Sequence, residues 1–185
     1  MIVDTTMITG NGTSYGMRAS GLSMNQSAIT GYTTFRKYSN LGSGTALINE
    51  LGTNVAAGSG KYLGYGFVSN NEEFGINGNV GLNSSRFTST SLDLKLVTTI
   101  NNIANANESL PLMVNNVSQS FVAQDASNNN TANMNATGYN LLARNNASNL
   151  WSNVLLVSDI VCPGEDNTTT RTAMYNFLRT YINGI

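Results

Sequence analysis

The chain has 185 residues, with nine Lys or Arg, ten Asp or Glu, a net charge of −1, one cysteine and no histidine. Without histidine, Ser-His-Asp and Cys-His catalysis, His-ligated zinc and His-based pH switching are excluded. One cysteine, Cys162, excludes an intrachain disulfide, and the lone basic pair Arg36-Lys37 is too little cation to track phosphates, so nucleic acid is not an expected partner.

A chain of this length is most simply one domain, residues 1–185, with residues 1–40 as an N-terminal arm or extra edge strands. Charged residues make up 10%, against about 25% in ordinary globular domains. Their place is taken by neutral polar residues, 29 of them Asn. Disorder usually comes with high net charge and few aromatics, so this composition suits a turn-rich β protein instead. Residues 1–4 show neither a basic region nor a long apolar core, so no secretory signal is expected. No run approaches the ~18 apolar residues of a membrane span, so a membrane is not an expected partner.

In chain order, residues 2–9 read as a short edge strand, residues 15–19 as a second, and residues 21–26 as a loop. Residues 28–36 and 45–51 are β-rich. In residues 62–67, Gly64 and Gly66 on one face suggest a bend or a close backbone approach. Residues 70–73 read as a turn, and Asn77-Gly78 as a tight hairpin turn. Residues 92–100 alternate Leu92, Leu94, Leu96, Thr98 and Ile100 with Asp93, Lys95, Val97 and Thr99. This period of two marks a strand with unlike faces, leading into a meander that turns at Asn115-Asn116. Residues 124–138, the longest polar segment, read as a surface loop, residues 139–143 as a short strand, and residues 150–161 as the last long strand. Met174, Phe177, Leu178, Tyr181 and Ile182 then fall at helical spacing, with Thr168-Thr169-Thr170 offering an N-cap and Asn183-Gly184 an end. The expected fold is all-β: a two-sheet antiparallel jelly-roll sandwich with a short C-terminal helix.

The order of elements over residues 44–185 resembles the concanavalin A-like or laminin-G-like jelly roll. The resemblance is carried by the strand at 92–100, Leu112-Met113-Val114-Asn115-Asn116, Tyr139-Asn140-Leu141-Leu142-Ala143, Trp151 to Val157, and the closing Tyr175-Asn176-Phe177-Leu178. That fold hosts lectins, adhesion modules, hydrolases and virion parts, so it implies an architecture and no single activity.

Glycosidases of this fold set two carboxylates on one strand face. Here Asp93 is followed two residues on by Lys95, and Glu72-Glu73 are adjacent, so no enzyme is expected and no catalytic residue is assigned. No cofactor is expected; calcium, the usual metal of such modules, would have to draw on Asp125, Asp159, Glu72 or Glu73 without a clustered acid motif, and no metal residue is assigned. Sugar contact would use aromatic platforms, for which Trp151, Tyr139, Tyr62 and Tyr65 are the candidates, with core packing the competing role. Low charge, missing catalytic groups and no export signal favour a non-enzymatic structural protein of a large assembly. The expected assembly is a virion (capsid decoration, tail or fibre), with other copies or other virion proteins as partners. The alternative is a carbohydrate-binding, lectin-like module for host or glycan attachment, in a virion or extracellular.

Overall fold

A computed structural model describes residues 8–11, 16–39, 46–52, 60–66, 71–77, 82–88, 91–102, 112–120, 123–126, 133–143 and 151–182. The strands are β1 (Ile8–Thr9), β2 (Met17–Gln26), β3 (Ala28–Lys37), β4 (Ala46–Leu51), β5 (Gly60–Tyr65), β6 (Asn71–Asn77), β7 (Leu82–Thr88), β8 (Lys95–Asn102), β9 (Leu112–Val114), β10 (Val117–Ser118), β11 (Ala123–Ala126), β12 (Met134–Leu141) and β13 (Val154–Pro163). One helix, α1, spans Thr168–Tyr181. A six-stranded sheet runs β1-β13-β3-β8-β9-β10, and a seven-stranded sheet runs β11-β7-β6-β5-β4-β12-β2. The pairings among the described residues are antiparallel. The two-sheet antiparallel sandwich with one C-terminal helix is the architecture expected from the sequence.

The centre of the six-stranded sheet is covered on both faces, and β3 shows why its sequence is so apolar. It is buried along its length except at Arg36. Alternation sends Ile29 and Phe35 into the core between the sheets, with Val97, Leu63 and Tyr65. Tyr32 points the other way and packs with Leu96, Leu178 and Ile182 beneath α1. In β13 a register shift between Leu156 and Ser158 inserts one residue, Val157. The insertion flips the strand's parity. Val154 and Leu156 join the inter-sheet core, whereas Val157, Ile160 and Cys162 lie under the helix. Asp159 and Val161 are thereby turned back between the sheets, where Val161 packs on the core.

The meander β8-β9-β10 forms as expected, with Asn115 at φ 49° and Asn116 at φ 64° making a turn of positive φ. α1 is held at its start by Asn167, whose Oδ1 accepts from Thr170 N at 2.9 Å, so the cap is Asn167 and not the threonine run. Tyr32 donates to Asp166 Oδ2 at 2.6 Å and Asp166 N donates to Thr30 Oγ1 at 2.9 Å, docking the helix entry onto β3. The apolar stripe is narrower than its spacing suggests: Leu178 and Ile182 are buried, but Phe177 is 55% and Tyr181 66% exposed.

Several expectations are corrected. Residues 21–26 are not a loop but part of β2, where Gly21 at φ 77° sits in a bulge opposite β12. Residues 71–73 lie in β6 and not in a turn. Residues 134–138 are not a surface loop: they belong to β12, between β2 and β4, with Met134 and Ala136 buried. In β2 and β12 the apolar residues are too few and too irregularly spaced to read as a strand period. Residues 92–94 precede β8, and Leu92 is exposed. Within residues 1–40, β1 and β2 lie at sheet edges, and β3 lies inside its sheet, between β13 and β8. The Asn77-Gly78 turn and the Asn183-Gly184 helix end extend beyond the described residues. Among the described residues no helix is long and apolar enough to cross a membrane.

Candidate functional site

Five strands deliver polar side chains to one place between the sheets. β5 contributes Lys61 and β4 contributes Asn49, each 0% exposed. From the facing sheet come Thr33 of β3 and Asp159 of β13, whose carboxylate the Val157 bulge turns inward. Lys61 Nζ donates to Asn49 Oδ1 at 3.2 Å. Asn49 Nδ2 donates to Asp159 Oδ1 at 3.0 Å and to Thr33 Oγ1 at 2.9 Å. Thr33 Oγ1 donates to Asp159 Oδ1 at 2.8 Å, and Tyr139 of β12 donates its phenol hydrogen to Asp159 Oδ2. Gly31 leaves room for the lysine, since a Cβ there would lie 2.8 Å from Lys61 Nζ.

Burial dominates the electrostatics of this cluster. It pushes the Asp159 carboxyl above the usual range, against the opposing pull of Lys61 and of the hydrogen bonds from Tyr139, Thr33 and Asn49. It lowers the Lys61 amine, an effect Asp159 partly offsets. It raises the Tyr139 phenol, which the Asp159 charge raises further. Lys61, Asn49 and Thr33 are buried, whereas Asp159 and Tyr139 keep partial exposure.

The sequence-derived sugar platforms are not brought to one open surface. Tyr62 is 4% and Tyr65 1% exposed, on opposite faces of β5, and a ring so covered has no face for a sugar. Tyr65 Oη accepts from Asn153 N at 2.8 Å, and Lys37 Nζ stands 5.7 Å from its ring centre. Tyr139 is half-buried and committed to Asp159. Trp151 is half-buried, with its indole Nε1 buried and without a hydrogen bond among the described residues. Of the acids considered for calcium, Asp159 is consumed by the interior cluster, while the side chains of Asp125, Glu72 and Glu73 lie outside the described residues. Among the described residues no three His, Cys, Asp or Glu side chains converge. Cys162 is half-buried under α1, where burial pushes its thiol up.

Sequence reasoning missed Lys61, Asn49 and Thr33. The available signal was a lone Lys in Gly60-Lys61-Tyr62-Leu63-Gly64-Tyr65 and an Asn in Ala46-Leu47-Ile48-Asn49, polar residues inside otherwise core-like strands. It also missed the open cleft of about 360 Å³ lined by Phe87, Thr88, Ser91, Asp93, Leu94, Lys95, Val114, Asn115 and Gln119. There Ser91 Oγ donates to Asp93 Oδ2 at 2.9 Å, and Asn115 Oδ1 accepts from Leu96 N at 2.9 Å, which ties the meander turn to the cleft wall.

No family profile and no curated protein matches the chain. Solved structures do. The binding domain of botulinum neurotoxin serotype G aligns with a TM-score of 0.66 at 12% identity, over 95% of this chain and 47% of that one. A botulinum neurotoxin type C structure aligns at 0.57 and 9%, over 93% and 51%. Domains LG4-5 of the mouse laminin α1 chain align at 0.58 and 9%, over 84% and 41%. The chain thus spans about half the length of these neighbours. At such identities the likeness concerns architecture, and on that ground the chain has the concanavalin A-like, laminin-G-like jelly-roll fold.

Proposed function

We propose that this chain is a non-catalytic recognition module that takes a saccharide in the cleft between β7 and the β8–β10 meander. The observation that carries the reading is the make-up of that cleft. Its volume, about 360 Å³, falls within the ~300–1,000 Å³ of small-molecule sites. Leu94 and Val114 offer apolar wall, while Ser91, Asp93, Asn115 and Gln119 offer donors and acceptors. A sugar presents the same mixture of apolar face and hydroxyls. The neighbours support a binding role: cell entry of the type C toxin depends on two ganglioside molecules, and a neurotoxin DC binding domain is solved with rat synaptotagmin II. An array of immobilised glycans probed with the purified chain tests the reading. Asp93→Ala and Gln119→Ala should each weaken the strongest hit about tenfold, near 1.4 kcal/mol, with unchanged thermal stability. Absence of any bound glycan, or binding indifferent to both changes, would remove the proposal.

A second reading, a subunit of a large assembly such as a virion, is favoured by the β2 edge. Ten residues, all but two of them exposed, end the seven-stranded sheet, with Met17 51% and Leu22 38% exposed and Arg18 the only charge. Such an edge is a template for strand addition by another copy. Sedimentation of the chain against a Leu22→Lys variant tests it: the natural chain should associate and the variant should not.

A further inference from the structure

We propose that this interior cluster is a site of self-modification, in which Lys61 and Asn49 become joined by an amide bond with release of ammonia and with Asp159 relaying the proton. The placement of the three groups carries this inference, which stands apart from the cleft. Lys61 pairs with Leu51 and Asn49 with Leu63, so the two are diagonal neighbours on one face of β4 and β5. Lys61 Nζ approaches the carbonyl end of the Asn49 amide, 3.2 Å from Oδ1. The nitrogen that must leave, Nδ2, faces Asp159 Oδ1 at 3.0 Å. The nucleophile therefore stands at the oxygen side and the acid at the leaving-group side. Reaction needs Nζ about 3–3.5 Å from Cγ, a short shift from the observed contact.

The surroundings favour the reactive protonation states. An ammonium has three hydrogens to donate, but among the described residues Lys61 Nζ makes one hydrogen bond. Burial lowers its pKa and raises that of Asp159, and both shifts move the pair toward a neutral amine beside a protonated carboxyl. In the step, the Nζ lone pair forms a bond to Asn49 Cγ and the Cγ–Nδ2 bond breaks. Nδ2 takes the Asp159 proton and departs as ammonia, and the carboxylate takes up the proton shed by Nζ. One amide replaces another, with no oxidation or reduction. Both partners are 0% exposed, so water is kept from the intermediate.

The test is intact mass spectrometry and peptide mapping of the full chain, purified and held at neutral pH. The expected chain is lighter by one ammonia, trypsin fails to cut after Lys61, and a second protease acting at Leu51 leaves the flanking fragments joined. Lys61→Met should have its full mass, and Asp159→Asn should show the bond reduced at least tenfold. Full mass with a cleavable Lys61 would overturn the proposal. So would loss of ammonia that maps instead to a succinimide at Asn77-Gly78, or a bond formed as completely in Asp159→Asn. The map of the natural chain decides even where a variant does not fold.

Discussion

Replacing Gly31 by alanine probes how tightly the interior cluster is built. Gly31 does not have a positive φ, so alanine brings no backbone strain; the conflict is steric. The added Cβ would lie 2.8 Å from both Lys61 Nζ and Thr99 Oγ1, and 3.7 Å from Lys61 Cε. Real contacts do not reach 2.8 Å, and Lys61, at 0% exposed, has no solvent to retreat into. Overpacking of this kind costs about 1–3 kcal/mol. Displacing Nζ from Asn49 forfeits a buried hydrogen bond, about 1–3 kcal/mol more. In chain whose full mass shows Lys61 and Asn49 unjoined, Gly31→Ala should therefore cost about 2–6 kcal/mol in urea unfolding. In a Lys61→Met background the side chain ends near the Cε position, an ordinary contact at 3.7 Å. Only the Thr99 hydroxyl then interferes, and among the described residues it makes no hydrogen bond that would resist rotation. The same substitution should there cost about 1 kcal/mol, the scale of an off-rotamer side chain. A coupling of at least about 1 kcal/mol across the four proteins is expected; costs that add to within about 0.5 kcal/mol would refute the reasoning.

Other outcomes follow from the same structure. Leu178→Ala, which empties a 4%-exposed site under α1, should cost about 2–4 kcal/mol, whereas Phe177→Ala, at a 55%-exposed site, should cost under about 0.5 kcal/mol by denaturant unfolding. Asn167→Ala should cost about 1 kcal/mol through the lost cap, and Asn167→Asp should be tolerated. Asn116→Ala should cost about 1 kcal/mol for its φ of 64°, and Asn116→Gly should cost less. The interior also sets a pH response, read on chain whose full mass shows Lys61 and Asn49 unjoined. The native chain holds the Asp159 proton more tightly than the unfolded chain, so stability falls as pH climbs from about 4 through the raised value. The unfolded chain holds the Lys61 proton more tightly, so stability returns as pH rises from the lowered value toward about 10. Melting temperature against pH should lose the first slope in Asp159→Asn and the second in Lys61→Met.

What the sequence conveyed was local. The Asn115-Asn116 turn, the apolar β3 and the helical spacing of Met174, Leu178 and Ile182 are short-range signals, and each corresponds to an element of the structure. β12 escaped because Asn135, Thr137 and Asn140 mask the few apolar residues that mark its inner face. Tyr62 and Tyr65 were legible as aromatic strand residues, but which side is covered depends on sheet stacking. The interior cluster was unreadable for a stronger reason: Thr33, Asn49, Lys61, Tyr139 and Asp159 meet only through five strands of two sheets, and one of them faces inward because of a single inserted residue, Val157. The cleft likewise joins β7 to the meander across strands of different sheets.

The recognition role is tested most directly by amide chemical-shift mapping of the labelled chain titrated with the best saccharide from the array. The expected result is saturable shifts gathered on Thr88, Ser91, Asp93, Asn115 and Gln119, around the cleft. Shifts gathered along Met17–Gln26, or none at saturating sugar, would contradict it.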